Sequence, residues 1–241
     1  MSSASQANEH VAHHFESAEQ QRQSAQLGMW AFLVTEVMFF SGLFAAYIIY
    51  RSLYPEAWTV GSHMLSIGLG GFNTIILLCS SLTMALAVHA AQTDKRGASA
   101  RWIILTIVLG LAFLGVKMVE YSAKIEHHLV PGAHFHLDPA QELANLQAAG
   151  VQVGDHLRHA METVNTAHVQ LFFSLYFAIT GLHALHMIIG IGVMIWLLKT
   201  TIEGRYSSAY INPVEVSGLY WHFVDIVWIF LFPLLYLVGR H

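Results

Sequence analysis

The composition of this 241-residue chain is that of a protein dissolved in lipid. Hydrophobic residues make up 55% of the chain and charged residues 11%, whereas a soluble domain is about 25% charged. So little charge cannot cover a globule of this size with water-compatible surface. The net charge of −4 does not indicate nucleic-acid binding. The single Cys79 excludes an intrachain disulfide, a paired-cysteine metal site and c-type haem attachment.

Five apolar runs are long enough to cross a bilayer as helices. A span needs about 20 apolar residues at 1.5 Å rise per residue, and in lipid the backbone of such runs is satisfied by helix formation. We therefore predict an all-α, polytopic fold with spanning helices over 27–50, 65–89, 102–124, 169–198 and 219–238. They form one transmembrane domain, 27–241, preceded by a polar N-terminal tail, 1–26, which lacks the apolar core of a signal peptide.

The links between the spans predict an orientation. The longest link, 125–168, is rich in histidine and contains a predicted surface helix over 139–149, with Pro139 at its first position. Basic flanking residues favour the cytoplasmic side. They are more numerous on the side of the tail, so we predict a cytoplasmic N-terminus and a periplasmic C-terminus.

Two acidic side chains lie within the predicted spans, where ionisable groups are costly and face protein or a cavity. Glu36 in the first span either bonds to a neighbouring helix or lies near a lipid headgroup or a proton path. Glu120 in the third span lies three residues after Lys117, on the same helix face. The two form an ion pair within the helix, or Glu120 lines a cleft filled with lipid or water.

Histidines in the last two spans allow two interpretations. His183 and His186 are three residues apart in the fourth span, and His222 and Asp225 are three apart in the fifth. Histidines from two helices at matched depth could bind haem. Alternatively the fourth-span histidines bond to neighbouring helices, and His222 pairs with Asp225.

Further histidines lie in the long link and could bind Zn²⁺ or Cu²⁺ adventitiously. The alternative, which we adopt, is a solvated loop that contacts a partner and holds no physiological metal. These residues are His127, His128, His134, His136, His156, His159 and His168.

Five motifs in order resemble the subunit III family of haem-copper oxidases, and the Trp-His-Phe-Val-Asp order of the last is the most specific. They are LGMWAFLVTEVMFFSGLF at 27–44, FNTIILLCSSLTMALAVHAA at 72–91, KMVEY at 117–121, FAITGLHALHMIIG at 177–190 and YWHFVDIVWIFLFPLLYL at 220–237. The chain resembles the five-helix bacterial form of this family.

The resemblance implies a V-shaped arrangement of two helices and three, with phospholipid in the cleft. It implies a chain that is not itself catalytic and supports proton uptake and the stability of the catalytic subunit. Glu36 and Glu120 would be its membrane carboxylates, and Lys199 a contact for a lipid headgroup. Lys117 would contact other helices or subunits. So would four polar residues of the last two spans, which are His183, His186, His222 and Asp225.

The implied partners are the catalytic subunit I and subunit II, which carry the haem and copper. The implied location is the bacterial inner membrane, where the complex could also belong to a respiratory supercomplex. Cytochrome c and quinol both stay open as electron donors. An equivalent subunit of a quinol oxidase or nitric oxide reductase is one alternative. A stand-alone b-type cytochrome using His183, His186 and His222 is another.

Overall fold

The computed structural model of the chain describes residues 15–132, 135–148, 150, 153–206 and 210–240. The described residues form eight α-helices. They are α1 (Ala18–Leu53), α2 (Pro55–His63), α3 (Ile67–Gln92), α4 (Arg96–Glu126), α5 (Pro139–Ala148), α6 (Asp155–Thr163), α7 (Thr166–Ile202) and α8 (Asn212–Phe232). A π-helical turn, Pro233–Leu237, and a 3₁₀ turn, Val238–Arg240, follow α8.

Five of these helices, α1, α3, α4, α7 and α8, are long and apolar enough to cross a membrane. The predicted all-α fold with five spans is therefore confirmed. The helices extend beyond the predicted ends: α1 begins at Ala18 inside the predicted tail, and α8 begins at Asn212 rather than at 219. The surface helix expected over 139–149 is present as α5, whereas α2 and α6 were not predicted.

Local signals explain where the helices begin. Pro55 occupies the first turn of α2, where its missing N–H is not needed. The Asp138 carboxylate accepts hydrogen bonds from the backbone N–H groups of Ala140 and Gln141 and so caps α5. The Asn165 side chain accepts one from the Ala167 N–H at the start of α7.

The chain divides into two compact units, each containing part of every long helix. Unit 1 comprises the described parts of Met1–Met38, Ile75–Phe113 and Leu185–Val227. In its core the fully buried Trp221 of α8 donates a hydrogen bond to the Ser80 hydroxyl of α3, at 2.9 Å. A Cβ at Gly110 of α4 or Gly190 of α7 would come within 2.9 or 3.0 Å of the Trp221 ring. These glycines allow the helices to approach closely.

Unit 2 comprises Phe39–Thr74, the described parts of Leu114–Ala184, and the described parts of Trp228–His241. Its core is aromatic: the Trp58 ring of α2 lies 5.6 Å from Tyr47 of α1 and 5.5 Å from Phe172 of α7. Edge-on contacts of this kind are favourable in addition to the area that they bury. The Tyr47 hydroxyl donates to the Leu234 carbonyl at 2.7 Å, which holds α1 against the π-helical turn.

Candidate functional site

The most deeply buried charges of unit 2 form an ion pair on α4. The Lys117 ammonium lies 2.8 Å from the Glu120 carboxylate, and both side chains are 3% exposed. Residues three apart lie on one helix face, so the spacing alone brings the two together. Of the two interpretations left open, the intrahelical pair is the one observed.

Two tyrosines from other elements complete this pair. Besides its bond to Glu120, Lys117 donates hydrogen bonds to the hydroxyl oxygens of Tyr176 in α7, at 3.1 Å, and Tyr236 in the π-helical turn, at 3.2 Å. The Tyr236 hydroxyl donates to the second Glu120 oxygen at 2.7 Å. All three ammonium donors and both carboxylate oxygens thus have partners. We call these four residues the Lys117 network.

Aromatic faces surround the ammonium as well. The Lys117 nitrogen lies 5.1–5.2 Å from the ring centroids of Tyr176, Tyr121 and Trp228, and 5.8 Å from that of Tyr236. Cation–π attraction over such distances gains strength when water is absent. The network therefore stabilises a charge inside the protein rather than presenting it to lipid.

A second buried lysine was not recognised from the sequence. Lys124, near the end of α4, is 8% exposed and donates to the backbone carbonyl of Met64, the residue that follows α2. Its position at the end of an apolar run suggested only a basic flank. No local signal in the sequence indicates a carbonyl acceptor 60 residues away in the chain.

In unit 1 Glu36 and His186 link α1 to α7. The Glu36 carboxylate and the His186 Nε2 lie 3.1 Å apart, with the side chains 19% and 12% exposed. The Tyr220 hydroxyl of α8 donates to the His186 carbonyl at 3.0 Å. The contact expected between His186 and a neighbouring helix is therefore present, and its partner is the carboxylate of the first span.

His222 and Asp225 of α8 do not form the expected pair. The His222 Nδ1 lies 2.8 Å from the Ser81 hydroxyl of α3. Asp225 is 2% exposed, and neither carboxyl oxygen has a hydrogen bond to the described residues. Spacing along α8 puts the two side chains on one face, but the α3 hydroxyl engages the imidazole instead.

His183 and Lys199, the other two predicted site residues, take no part in the contacts described above. His183 belongs to unit 2, is 1% exposed, and its ring lies 5.1 Å from the Trp228 ring. Lys199 is exposed in the last turn of α7, and its side chain forms no ion pair or hydrogen bond with the described residues. It is therefore free to contact groups outside the chain.

The long link brings His127, His128 and His136 to one pocket of about 180 Å³, next to Glu126 and Asp138. In the described part of the chain, no three histidine, cysteine or acidic side chains are placed to hold a metal ion. His134 lies outside the described residues.

Five apolar spans with charges paired inside them define a polytopic integral membrane protein. The chain matches the family described as "Cytochrome c oxidase subunit III" over residues 6–137 and 149–240. This match covers most of the chain, including all five motifs. The chain belongs to the cytochrome c oxidase subunit III family.

Curated relatives span two kinds of oxidase. The chain is 34% identical over 212 residues to cytochrome c oxidase subunit 3 of Synechocystis, covering 88% of this chain and 74% of that one. It is 29% identical to cytochrome c oxidase subunit 3 of Alkalihalophilus pseudofirmus, over 94% and 92% of the two chains. It is also 29% identical to quinol oxidase subunit 3 of Bacillus subtilis, over 96% and 98%.

Proposed function

We propose that this chain is the accessory, non-catalytic subunit III of a haem-copper respiratory oxidase in a bacterial inner membrane. The observation that carries the proposal is the family match, which extends over nearly the whole chain and includes all five spans. Oxygen reduction would take place on haem and copper in a partner subunit I, with subunit II as the second partner.

The placement of the polar side chains supports an accessory role. His186 and His222, two of the three histidines considered as haem ligands, each bond to a side chain of another helix, namely Glu36 and Ser81. The Lys117 network likewise satisfies its charges internally. These contacts link neighbouring helices and account for both histidines without a haem.

The first span offers the surface on which a partner would pack. Only 17% of the residues in its most apolar stretch are buried inside the chain, compared with 50% in the last span. Large side chains are exposed along it, including Leu27 at 72% and Met38 at 70%. Phospholipid and the catalytic subunit would cover this face.

Among the predicted lipid contacts, Glu36 and Lys199 fit that role better than Glu120. Glu36 of α1 is 19% exposed, so part of its side chain is at the protein surface. Lys199 is exposed at the end of α7, where its positive charge would attract a phosphate headgroup. Glu120 is 3% exposed and is the counter-ion of Lys117. We therefore assign Glu120 to internal stability.

Co-purification tests the assignment. The tagged full-length chain, extracted in mild detergent, should carry with it a large subunit that shows haem and copper absorption. After separation from its partners, the chain should show no haem Soret band. A Soret band that stays with the isolated chain would overturn the accessory role and support a b-type cytochrome.

The electron donor distinguishes the two kinds of relative. Relatives named quinol oxidase subunit 3 match the chain as fully as those named cytochrome c oxidase subunit 3, so a quinol oxidase is the second candidate. The purified complex should oxidise either reduced cytochrome c or a quinol. A copper site held by paired cysteines in the co-purified subunit II would identify the cytochrome c enzyme.

The lipid role of Glu36 can be tested with Glu36→Gln. This change should reduce the phospholipid retained by the purified complex or shorten its active lifetime during turnover, because it replaces a carboxyl group that is partly exposed at the surface. Glu162→Gln is the matched control, since it makes the same change at an exposed carboxyl group outside the five spans and should leave retained lipid unaltered. Equal lipid content in all three proteins would contradict the role of Glu36.

A further inference from the structure

Asp225 of α8 is a carboxyl group buried without a hydrogen-bond partner among the described residues. Its side chain is 2% exposed, and both oxygens are shielded from solvent. An ionised carboxylate that loses its hydration without compensating hydrogen bonds is strongly destabilising. A neutral carboxylic acid avoids most of that penalty, and it requires a route by which a proton can reach it.

Ser81 and His222 lie between Asp225 and the surface of unit 1. The Ser81 hydroxyl is next to the Asp225 carboxyl, although the two form no hydrogen bond of normal geometry. The same hydroxyl lies 2.8 Å from the His222 Nδ1. Both Ser81 and His222 are partly exposed, whereas Asp225 is not.

His222 is one of the residues that line a surface pocket of about 430 Å³. We call it the His222 pocket; its other polar lining residues are Gln26, His89, Gln92 and Glu215. Water fits a pocket that has this volume and several polar partners. Imidazole can accept a proton at one ring nitrogen while it releases another from the second.

We propose that Asp225 is a proton-binding site supplied with water-borne protons from the His222 pocket through His222 and Ser81. A hydronium ion in the pocket gives its proton to the imidazole, whose Nδ1 proton passes to the Ser81 oxygen. The Ser81 hydroxyl proton passes to the Asp225 carboxylate, which becomes a neutral acid. One proton moves in total and no electron is transferred. Ser81 keeps a hydroxyl proton, and His222 is left with its proton on Nε2 instead of Nδ1. Rotation of the ring, or proton exchange with water of the pocket, restores the starting tautomer.

Titratable groups of the pocket come from several helices. His89 of α3 and Glu215 of α8 line it, and Arg22 of α1 acts electrostatically on Glu215. The Gln92 side chain donates to Glu215 at 3.2 Å. Among the described residues Ser81 is the polar side chain next to Asp225, and Asp225 forms no ion pair with them. The proposal concerns this chain alone and does not depend on the identity of the partner oxidase.

Infrared difference spectroscopy of the full-length chain, purified with whatever accompanies it, tests the proposal. The spectrum of the unaltered protein minus that of Asp225→Asn at neutral pH should contain the carbonyl stretch of a protonated carboxylic acid, which shifts in D₂O. Absence of this band would show that Asp225 is ionised and would overturn the proposal. If Asp225→Asn does not accumulate, Asp225→Glu should instead move the band, and an unmoved band would equally overturn it.

The route is tested by the rate at which this band shifts after transfer to D₂O. Ser81→Ala and His222→Phe should retain the band but slow its shift by roughly tenfold or more, because a hydrogen-bonded step is lost. Ser122→Ala, which removes an exposed hydroxyl on α4 that bonds to its own helix, should leave the rate unchanged. Unaltered rates in both Ser81→Ala and His222→Phe would overturn the route.

Discussion

Lys117 shows how a charged side chain is accommodated inside a spanning helix. Its ammonium has three oxygen partners, and the Glu120 carboxylate has two donors. A buried ion pair does not contribute much stability relative to apolar packing, but removal of one partner leaves an uncompensated charge. Removal of one partner should therefore lower the free energy of unfolding more for a buried ion pair than for an exposed one.

We predict that Lys117→Met lowers the free energy of unfolding by about 3–5 kcal/mol, because Glu120 is left charged and desolvated. The measurement is unfolding of the detergent-solubilised protein by heat or denaturant. Arg22→Met is the matched control, since Arg22 and Glu19 have the same three-residue spacing at 3.0 Å but are 50% and 56% exposed. Exposed pairs contribute little, so equal destabilisation by the two changes would contradict the prediction.

At the residue scale, spacing along a helix indicated the Lys117–Glu120 pair but not the partners that other helices supply. Lys117 and Glu120 were recognisable because they are one turn apart. Tyr176 and Tyr236 were not, since they lie 59 and 119 residues from Lys117. The expected pairing of His222 with Asp225 is wrong for the same reason: Ser81, 141 residues away, bonds to the imidazole.

Helix α4 contains two glycines in different surroundings. A Cβ at Gly110 would lie 2.9 Å from the ring of Trp221, whereas a Cβ at Gly115 would have no atom within 4 Å. Gly110 is thus required by close packing against α8, and Gly115 is not. The same substitution at the two positions separates packing from helix propensity.

Gly110→Ala should destabilise the protein by about 1–3 kcal/mol, because the added methyl forces Trp221 out of its contact with Ser80. Gly115→Ala should be neutral or stabilising by about 0.5–1 kcal/mol, because alanine has a higher helix propensity than glycine. Unfolding midpoints of the two variants measure this. The packing argument fails if Gly110→Ala is as stable as Gly115→Ala.

The end of α8 changes to a π-helical turn at Pro233. Proline lacks the N–H that an α-helix would use there, and the Val238 N–H bonds to the Pro233 carbonyl, five residues back. Such turns displace the following side chains relative to an α-helix. Tyr236 lies in this segment, so the turn directs its hydroxyl to the Lys117 network.

A double-mutant cycle tests this coupling. In the presence of Pro233, Tyr236→Phe should lower the unfolding free energy by about 1–3 kcal/mol, because Glu120 and Lys117 each lose a buried partner. With Pro233→Ala, an α-helical continuation moves the hydroxyl away, so Tyr236→Phe should have almost no further effect. Strictly additive effects would show that the turn does not position Tyr236.

At the element scale, the spans were predictable and their ends were not. Run length located the five spanning helices, since lipid imposes the same minimum on each. The polar extensions, such as the start of α1 at Ala18, lie outside the apolar runs. They continue the helix of the adjoining span. Helices α2 and α6 are nine residues each, too short for periodicity to distinguish them from loops.

The orientation of the whole molecule in the membrane is a prediction from its basic residues. The link between α3 and α4 contains Lys95 and is expected on the cytoplasmic side, and the link with α6 on the periplasmic side. Each link has an exposed residue at which a cysteine can be introduced, Thr93 and His159. Cys79 is the single native cysteine, so labelling sites can be introduced one at a time after its replacement.

In a Cys79→Ala background, His159→Cys should react with a membrane-impermeant maleimide in spheroplasts. Thr93→Cys should react only after the membrane is opened, because the basic residues predict that its link faces the cytoplasm. The extent of labelling on gels measures both. The opposite pattern would invert the proposed orientation, and labelling of both in spheroplasts would contradict five crossings.

Composition and run length are enough to establish that lipid is the solvent and that five helices cross it, because the length of a span depends on the local chain and the bilayer alone. The motifs were enough to indicate the family. The partners of the buried polar side chains depended on folding, because they come from segments distant in the chain that packing brings together. That is why Lys117 acquired its tyrosines and His222 its serine, while the Asp225 carboxyl is buried without a hydrogen bond of normal geometry to the described residues.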